Sequence, residues 1–262
     1  MRFVAKRLLL FIAALVGLSI LVFLALRVLP GDVAAVMAGT NATAARIAAL
    51  RTQMGLDRPL PVQYADWLGG LLHGDLGISA ISGRSVVSQV GARAAVTFPL
   101  IMLSLAVALL IGLPLGCAAV ITRNRRWRGL FHVLAIVGGA VPALWSGLLL
   151  ILLFSHGSGL LGLFPSQGFP NDGWKDCGRA MASLVLPALA TGITAGAGIM
   201  RYTRAALGDA AQSQAVSMAM ACGMTRKQAV LRVALRLATP QLVSVIGLTF
   251  AQMVTGVMVV EN

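Results

Sequence analysis

The residues able to do bond-making chemistry are sparse in this sequence and do not converge. Its three histidines, His73, His132 and His156, lie far apart with no second ligand at metal-site spacing, so no metal site is expected. Glu261 is the single glutamate among eight acids. No nucleophile, base and orienting group can be assembled from that inventory, and no catalytic residue is expected. The dipeptide Gly-Lys never occurs, which excludes a Walker-type phosphate loop; no cofactor is expected in this chain. What the sequence does concentrate is positive charge. Between Arg201 and Pro240, Arg201, Arg204, Arg226, Lys227, Arg232 and Arg236 stand against one acid, Asp209. Chemistry of that kind recognises and docks; it does not catalyse.

The elements that must position this charge are greasy. Hydrophobic residues make up 58% of the 262, charged ones only 11%, and mean hydropathy is +0.88, which excludes an ordinary soluble domain. The net charge of +13 does not point to nucleic acid, because the basic residues sit in short loops beside apolar spans, not in a stripe with aromatics.

Leu8 to Leu26, behind Arg2, Lys6 and Arg7, is uncharged and long enough to cross the hydrocarbon core, with its N-terminus in the cytosol. No small-residue cleavage site follows, so the helix is retained. Further spans are predicted at about Phe98–Ile121, Leu130–Ser155, Ser183–Met200 and Leu242–Val260. The third, with Gly138, Gly139 and Pro142, is expected to be bent and tightly packed. This is an all-α integral membrane protein of about five spans. By that topology thirteen of the 21 Lys and Arg lie inside, while six acids lie outside and one inside. Cys117, Cys177 and Cys222 then fall in a span, an outer loop and an inner loop, which keeps them from pairing.

Three regions follow: 1–30, the first membrane helix; 31–95, a helical extracytoplasmic region; and 96–262, a core carrying an inner loop over 201–240. In the second region, Thr43 to Met54 presents Ile47, Leu50 and Met54, and Val62 to Leu72 presents Tyr64, Trp67, Leu68 and Leu71 on one face. Pro59 and Pro61 punctuate between them. These stripes are expected to pack on each other or lie at the membrane surface. In the inner loop, Ala-rich sequence interrupted at Gly223 predicts two short helices with a turn between them. Among mid-span polar groups, Ser104, Ser146, Ser244, Thr249 and Thr255 are expected mainly to satisfy their neighbours' backbones. Gln252, whose amide needs several partners, is the better candidate for lining a pathway, with Thr249 and Thr255 beside it. The spans lack interior charge, which argues against an ion-coupled transporter.

The run Ala219-Met220-Ala221-Cys222-Gly223, then Arg226, Val233 and Leu235, resembles the EAA loop of ABC importer permeases. Ser217 and Met218 stand where that pattern has Glu and Ala, and Arg236 where it has Pro. Leu29-Pro30-Gly31-Asp32, Met54 to Tyr64, Trp67-Leu68 and His73-Gly74-Asp75-Leu76-Gly77 are similar to the N-terminal signature of the first permease subunit of peptide/nickel-type importers. The resemblance covers nearly the whole chain and implies a type I ABC importer permease architecture in a bacterial cytoplasmic membrane. It implies that ATP and Mg are bound by two partner ATPase subunits, that a homologous second permease completes the pathway, and that an extracytoplasmic solute-binding protein delivers the substrate. It makes Gln214, Ser217, Ala219, Ala221, Gly223 and Arg226 the residues that couple to the ATPase. Dipeptide, oligopeptide, nickel-complex and glycoside substrates all stay open, and a non-transporting membrane scaffold is the rival reading. The family pattern has a further span, whose preceding loop Val259-Val260-Glu261-Asn262 resembles, so a truncated chain is expected.

Overall fold

In lipid, backbone polar groups find partners only within their own helix or a closed barrel, so uncharged runs of this length fold as helices. The computed structural model describes residues 2–28, 33–38, 42–79, 82–157, 159–165, 168–170 and 172–261. Among these, the only β pairings are the isolated bridges Ile78–Ser85 and Ser155–Phe164. The motif residues 29–32 and Asn262 lie outside the described residues. The chain divides into two compact units, residues 1–93 and 94–262.

In the first unit, α1 (Arg2–Val28) buries none of its most apolar window inside the protein, as expected of a helix facing lipid. Three shorter helices follow: α2 (Val33–Ala38), α3 (Ala44–Gln53) and α4 (Leu60–Leu72). Pro59 caps α4 with its fixed φ of −55°, and Pro61 sits in the first turn, where its missing N–H costs nothing. The predicted stripe on α4 finds its partner on α1, not on α3. Phe23 meets Tyr64 edge-on at 5.4 Å and Trp67 at 6.4 Å, and Ser19 Oγ shares a 2.7 Å hydrogen bond with the Tyr64 hydroxyl.

The second unit is built on α8 (Cys177–Ala211), half of whose most apolar window is buried, the largest share of any span. Against it pack α5 (Val86–Ile121), α6 (Arg125–Ala140), α7 (Ala143–Phe154) and α11 (Leu235–Glu261). The second predicted span is corrected at its start. Arg93 ends the uncharged run but leaves the helix intact, so α5 begins at Val86, inside the region read as an extracytoplasmic insertion. At 36 residues it is about 54 Å long, longer than the roughly 30 Å hydrocarbon core.

Small residues every fourth position along α5 face small residues on α8. Ser104 Oγ lies 2.7 Å from Thr191 Oγ1, and both are buried. A Cβ at Gly112 would fall 2.7 Å from the Gly196 carbonyl oxygen, and one at Gly116 would fall 2.6 Å from Thr203 Cβ. Backbones come this close only where side chains are absent. Outside the seam, Trp174 Nε1 donates to the Ala95 carbonyl at 2.9 Å and stacks near Phe169, so it clasps its loop to α5.

The third predicted span bends as its proline implies, but much further than a kink: α6 and α7 meet at 100°. Pro142 has no N–H for the ladder, and Val141 before it is pushed to the extended region, φ −80° and ψ 120°. Two short helices therefore stand where one span was predicted. Gly138 and Gly139 bring the end of α6 against Ala197 and Arg201 of α8.

Candidate functional site

Two features of the second unit gather the residues that the sequence singled out. The first is a cavity of about 400 Å³ bounded by α6, α7, α8 and α11. Gln252 and Thr249, three residues apart on α11, both line it; Thr255 does not, and its hydroxyl donates to the Gln252 carbonyl at 2.9 Å. Thr191 and Thr194 line it from α8. Two threonine hydroxyls donate to their own helix carbonyls, Thr249 to Val245 O and Thr194 to Ala190 O, which leaves lone pairs for the cavity; that of Thr191 lies within bonding distance of both Pro187 O and Ser104 Oγ. Outside the cavity, Ser104, Ser146 and Ser244 are likewise bonded to the carbonyls of Leu100, Pro142 and Pro240.

Arg201 and Tyr202 complete the wall. The sequence reading had placed Arg201 in the inner loop, because its charge marks where hydropathy ends, yet α8 continues unbroken to Ala211. The Arg201 guanidinium lies along α6 at Gly139. With the Gln252 amide and the Tyr202 hydroxyl it makes a wall rich in donors, and among the described residues no acid lines the cavity. Such a wall suits a ligand that supplies carboxylate and carbonyl acceptors.

The second feature is the connection after α8. Of the two short helices predicted over 201–240, the first is α9 (Gln214–Ala221), and the turn at Gly223 follows it; residues 201–211 belong to α8, and the second helix runs on into the last span. A helix of eight residues is marginal by itself, and its ends show what fixes it. Gly223 adopts φ +93°; its N–H donates to Met220 O at 3.0 Å and that of Met224 to Ala219 O at 3.1 Å, a complete Schellman motif. Immediately after, Thr225 and Gln228 form a reciprocal capping box that starts α10 (Arg226–Ala229). Thr-x-x-Gln is the sequence signature of such a helix start. A π-helical stretch, Val230–Ala234, then leads straight into α11, and Pro240 is carried inside that helix instead of ending the loop.

Val216 anchors α9 in a cluster with Leu207, Ala229, Val230 and Ala234. Ala219 packs against the same cluster and is half-buried. Gln214, Ser217, Ala221, Gly223 and Arg226 are exposed, and Met218, missed by the loop resemblance, is 67% exposed beside them. α9 thus presents a small polar and methionine face, anchored by Val216 and closed at its C-terminal end by the Schellman motif.

Residues 108–262 match the family described as the binding-protein-dependent transport system inner membrane component, and residues 1–101 match its N-terminal membrane-component companion. The chain belongs to this family. It is a multi-pass inner-membrane permease of the type I ABC importer fold, a transport component and not an enzyme. The permease is similar to the glutathione transport system permease protein GsiC of Salmonella typhimurium, with 36% identity over 262 residues, 100% of this chain and 82% of the relative. It is 36% identical to the protein of that name from Pectobacterium atrosepticum over 98% of this chain and 80% of the relative. With that of Escherichia coli (strain K12) the identity is 35% over 100% and 82%.

Proposed function

We propose that this permease forms one half of the pathway of an importer for short peptides with free carboxylates, a class that includes glutathione. The donor-rich cavity of Arg201, Tyr202 and Gln252 carries this reading, and the likeness to glutathione permeases supports it. A homologous permease supplies the other half, and a solute-binding protein delivers the peptide. ATP and Mg are held by two ATPase subunits that dock on α9 through Gln214, Ser217, Met218, Ala221, Gly223 and Arg226. A non-transporting scaffold would have no use for such a cavity.

Arg201→Gln and Gln252→Leu are expected to slow glutathione uptake by proteoliposomes of the assembled importer. Loss of a charge-assisted hydrogen bond is worth about tenfold or more, so Arg201→Gln should carry the larger effect, and an analogue with its carboxylates amidated should lose less. Equal losses for acid and amide would remove the carboxylate from the reading. In the same reading the N-terminus is cytosolic and α3 and α4 lie outside. With the native cysteines replaced, Asp57→Cys should react with a membrane-impermeant thiol reagent in intact spheroplasts; labelling only after lysis would invert this topology.

A further inference from the structure

Arg125, Arg128 and His132 lie on one face of α6 at helical spacing, with Gly129 between them. Together with Arg204 of α8 they line a pocket of about 440 Å³, separate from the cavity described above. No acid lines it. The ion pairs Arg58–Asp66 and Arg179–Asp176 lie elsewhere. Asp209, the acid nearest in sequence on α8, is five residues beyond Arg204 and points from another side of the helix.

Two of these guanidinium groups are held in place by uncharged acceptors. Arg204 Nη1 donates to His132 Nδ1 at 2.9 Å, which requires a lone pair on Nδ1 and leaves Nε2–H as a further donor. Arg128 Nη2 donates to the Arg123 carbonyl at 3.2 Å. Positive charges gathered and oriented in this way, without a carboxylate, are complementary to a phosphate group.

The surface beside the pocket favours a phosphate that comes with acyl chains. On the side of α6 that carries the pocket, Val133 and Ile136 continue the face as an open apolar stripe, 54% and 49% exposed, and Trp127, on another side of the same helix, leans on Phe131 at 6.4 Å. Tryptophan next to arginine at the start of an apolar helix suits the level of lipid headgroups. We propose that this pocket binds the phosphate of an anionic phospholipid, with Arg204 and Arg128 gripping the headgroup and the apolar stripe of α6 bordering the acyl chains. The site is independent of substrate recognition and of docking on α9.

The test measures lipid retention by the detergent-solubilised full-length permease, using native mass spectrometry with phosphatidylglycerol, phosphatidylcholine and inorganic phosphate as probes. Phosphatidylglycerol should be retained over phosphatidylcholine, and Arg204→Gln or Arg128→Gln should weaken its retention about fivefold to tenfold. Arg204→Lys, which keeps the charge, should lie between these and the unmodified chain. Arg236→Gln, an equal charge loss elsewhere, should leave retention within about twofold. Retention that falls equally for Arg236→Gln and Arg204→Gln, or that shows no preference for phosphatidylglycerol, would overturn the site. Displacement of phosphatidylglycerol by inorganic phosphate at equal concentration would make it a soluble-anion pocket and overturn the lipid assignment.

Discussion

Gly223→Val is expected to leave the permease in the membrane and to abolish ATP-driven uptake. Nothing lies within 4 Å of where a Cβ would stand, so the substitution creates no clash; its effect comes from φ +93° alone. A β-branched residue held there costs about 1–3 kcal/mol, comparable with all that the Schellman motif contributes. The chain relieves that strain by releasing the Met224 and Gly223 hydrogen bonds, and α9, too short to hold itself, loses its C-terminal fixing point. The helices that cross the membrane are untouched, because Val216 and Val230 remain in their cluster. Gly223→Asn, a side chain that tolerates positive φ, should keep most of the uptake. The measurements are membrane abundance, uptake, and ATP hydrolysis stimulated by loaded binding protein in the assembled complex. Normal uptake by Gly223→Val, or equal failure of Val and Asn, would refute coupling through the geometry of this turn.

Gly223 also shows how far the sequence could be read. Of the two glycines in this Ala-rich stretch, Gly208 stays inside α8 while Gly223, at positive φ, marks a helix end, and that turn is where the reading put it. The other end of α9 carries no such mark: Gln212 and Ser213 break α8 without glycine or proline, so a hydropathy reading ended the membrane helix at Met200 and passed over the eleven residues that follow in α8. Pro142 announced a bend, but its 100° angle depends on how closely Gly138 and Gly139 let α6 approach α8, which is a property of the packed pair. Gln252 was singled out because a mid-span amide is costly wherever it lies. Arg201 reads from sequence only as inner-loop charge, and Tyr202 not at all, because their place in the wall arises only when α8, α6 and α11 enclose a common space. The π-helical stretch at Val230–Ala234 likewise left no signature that periodicity could detect.

Gly112→Leu should prevent the second unit from folding. A Cβ at Gly112 would stand 2.7 Å from the Gly196 carbonyl oxygen and 2.8 Å from Ile199 Cβ, so the first obstacle is backbone, which cannot rotate away. α5 and α8 would have to separate, breaking the Ser104–Thr191 hydrogen bond and exposing two buried hydroxyls. Overpacking of this kind costs about 1–3 kcal/mol for modest insertions and more for a whole leucine side chain, against a total stability of about 5–15 kcal/mol for a typical domain. Gly112→Ala, with only the Cβ, should fold and melt several degrees lower. Gly247→Ala on α11 meets nothing within 4 Å and should be neutral or slightly stabilising through helix propensity. Fluorescence-detected size exclusion of the detergent-extracted chain, followed by a thermal ramp, separates the three. A monodisperse Gly112→Leu protein melting with the unmodified chain would show that α5 and α8 are not held at backbone contact, and the small-residue seam would lose its role.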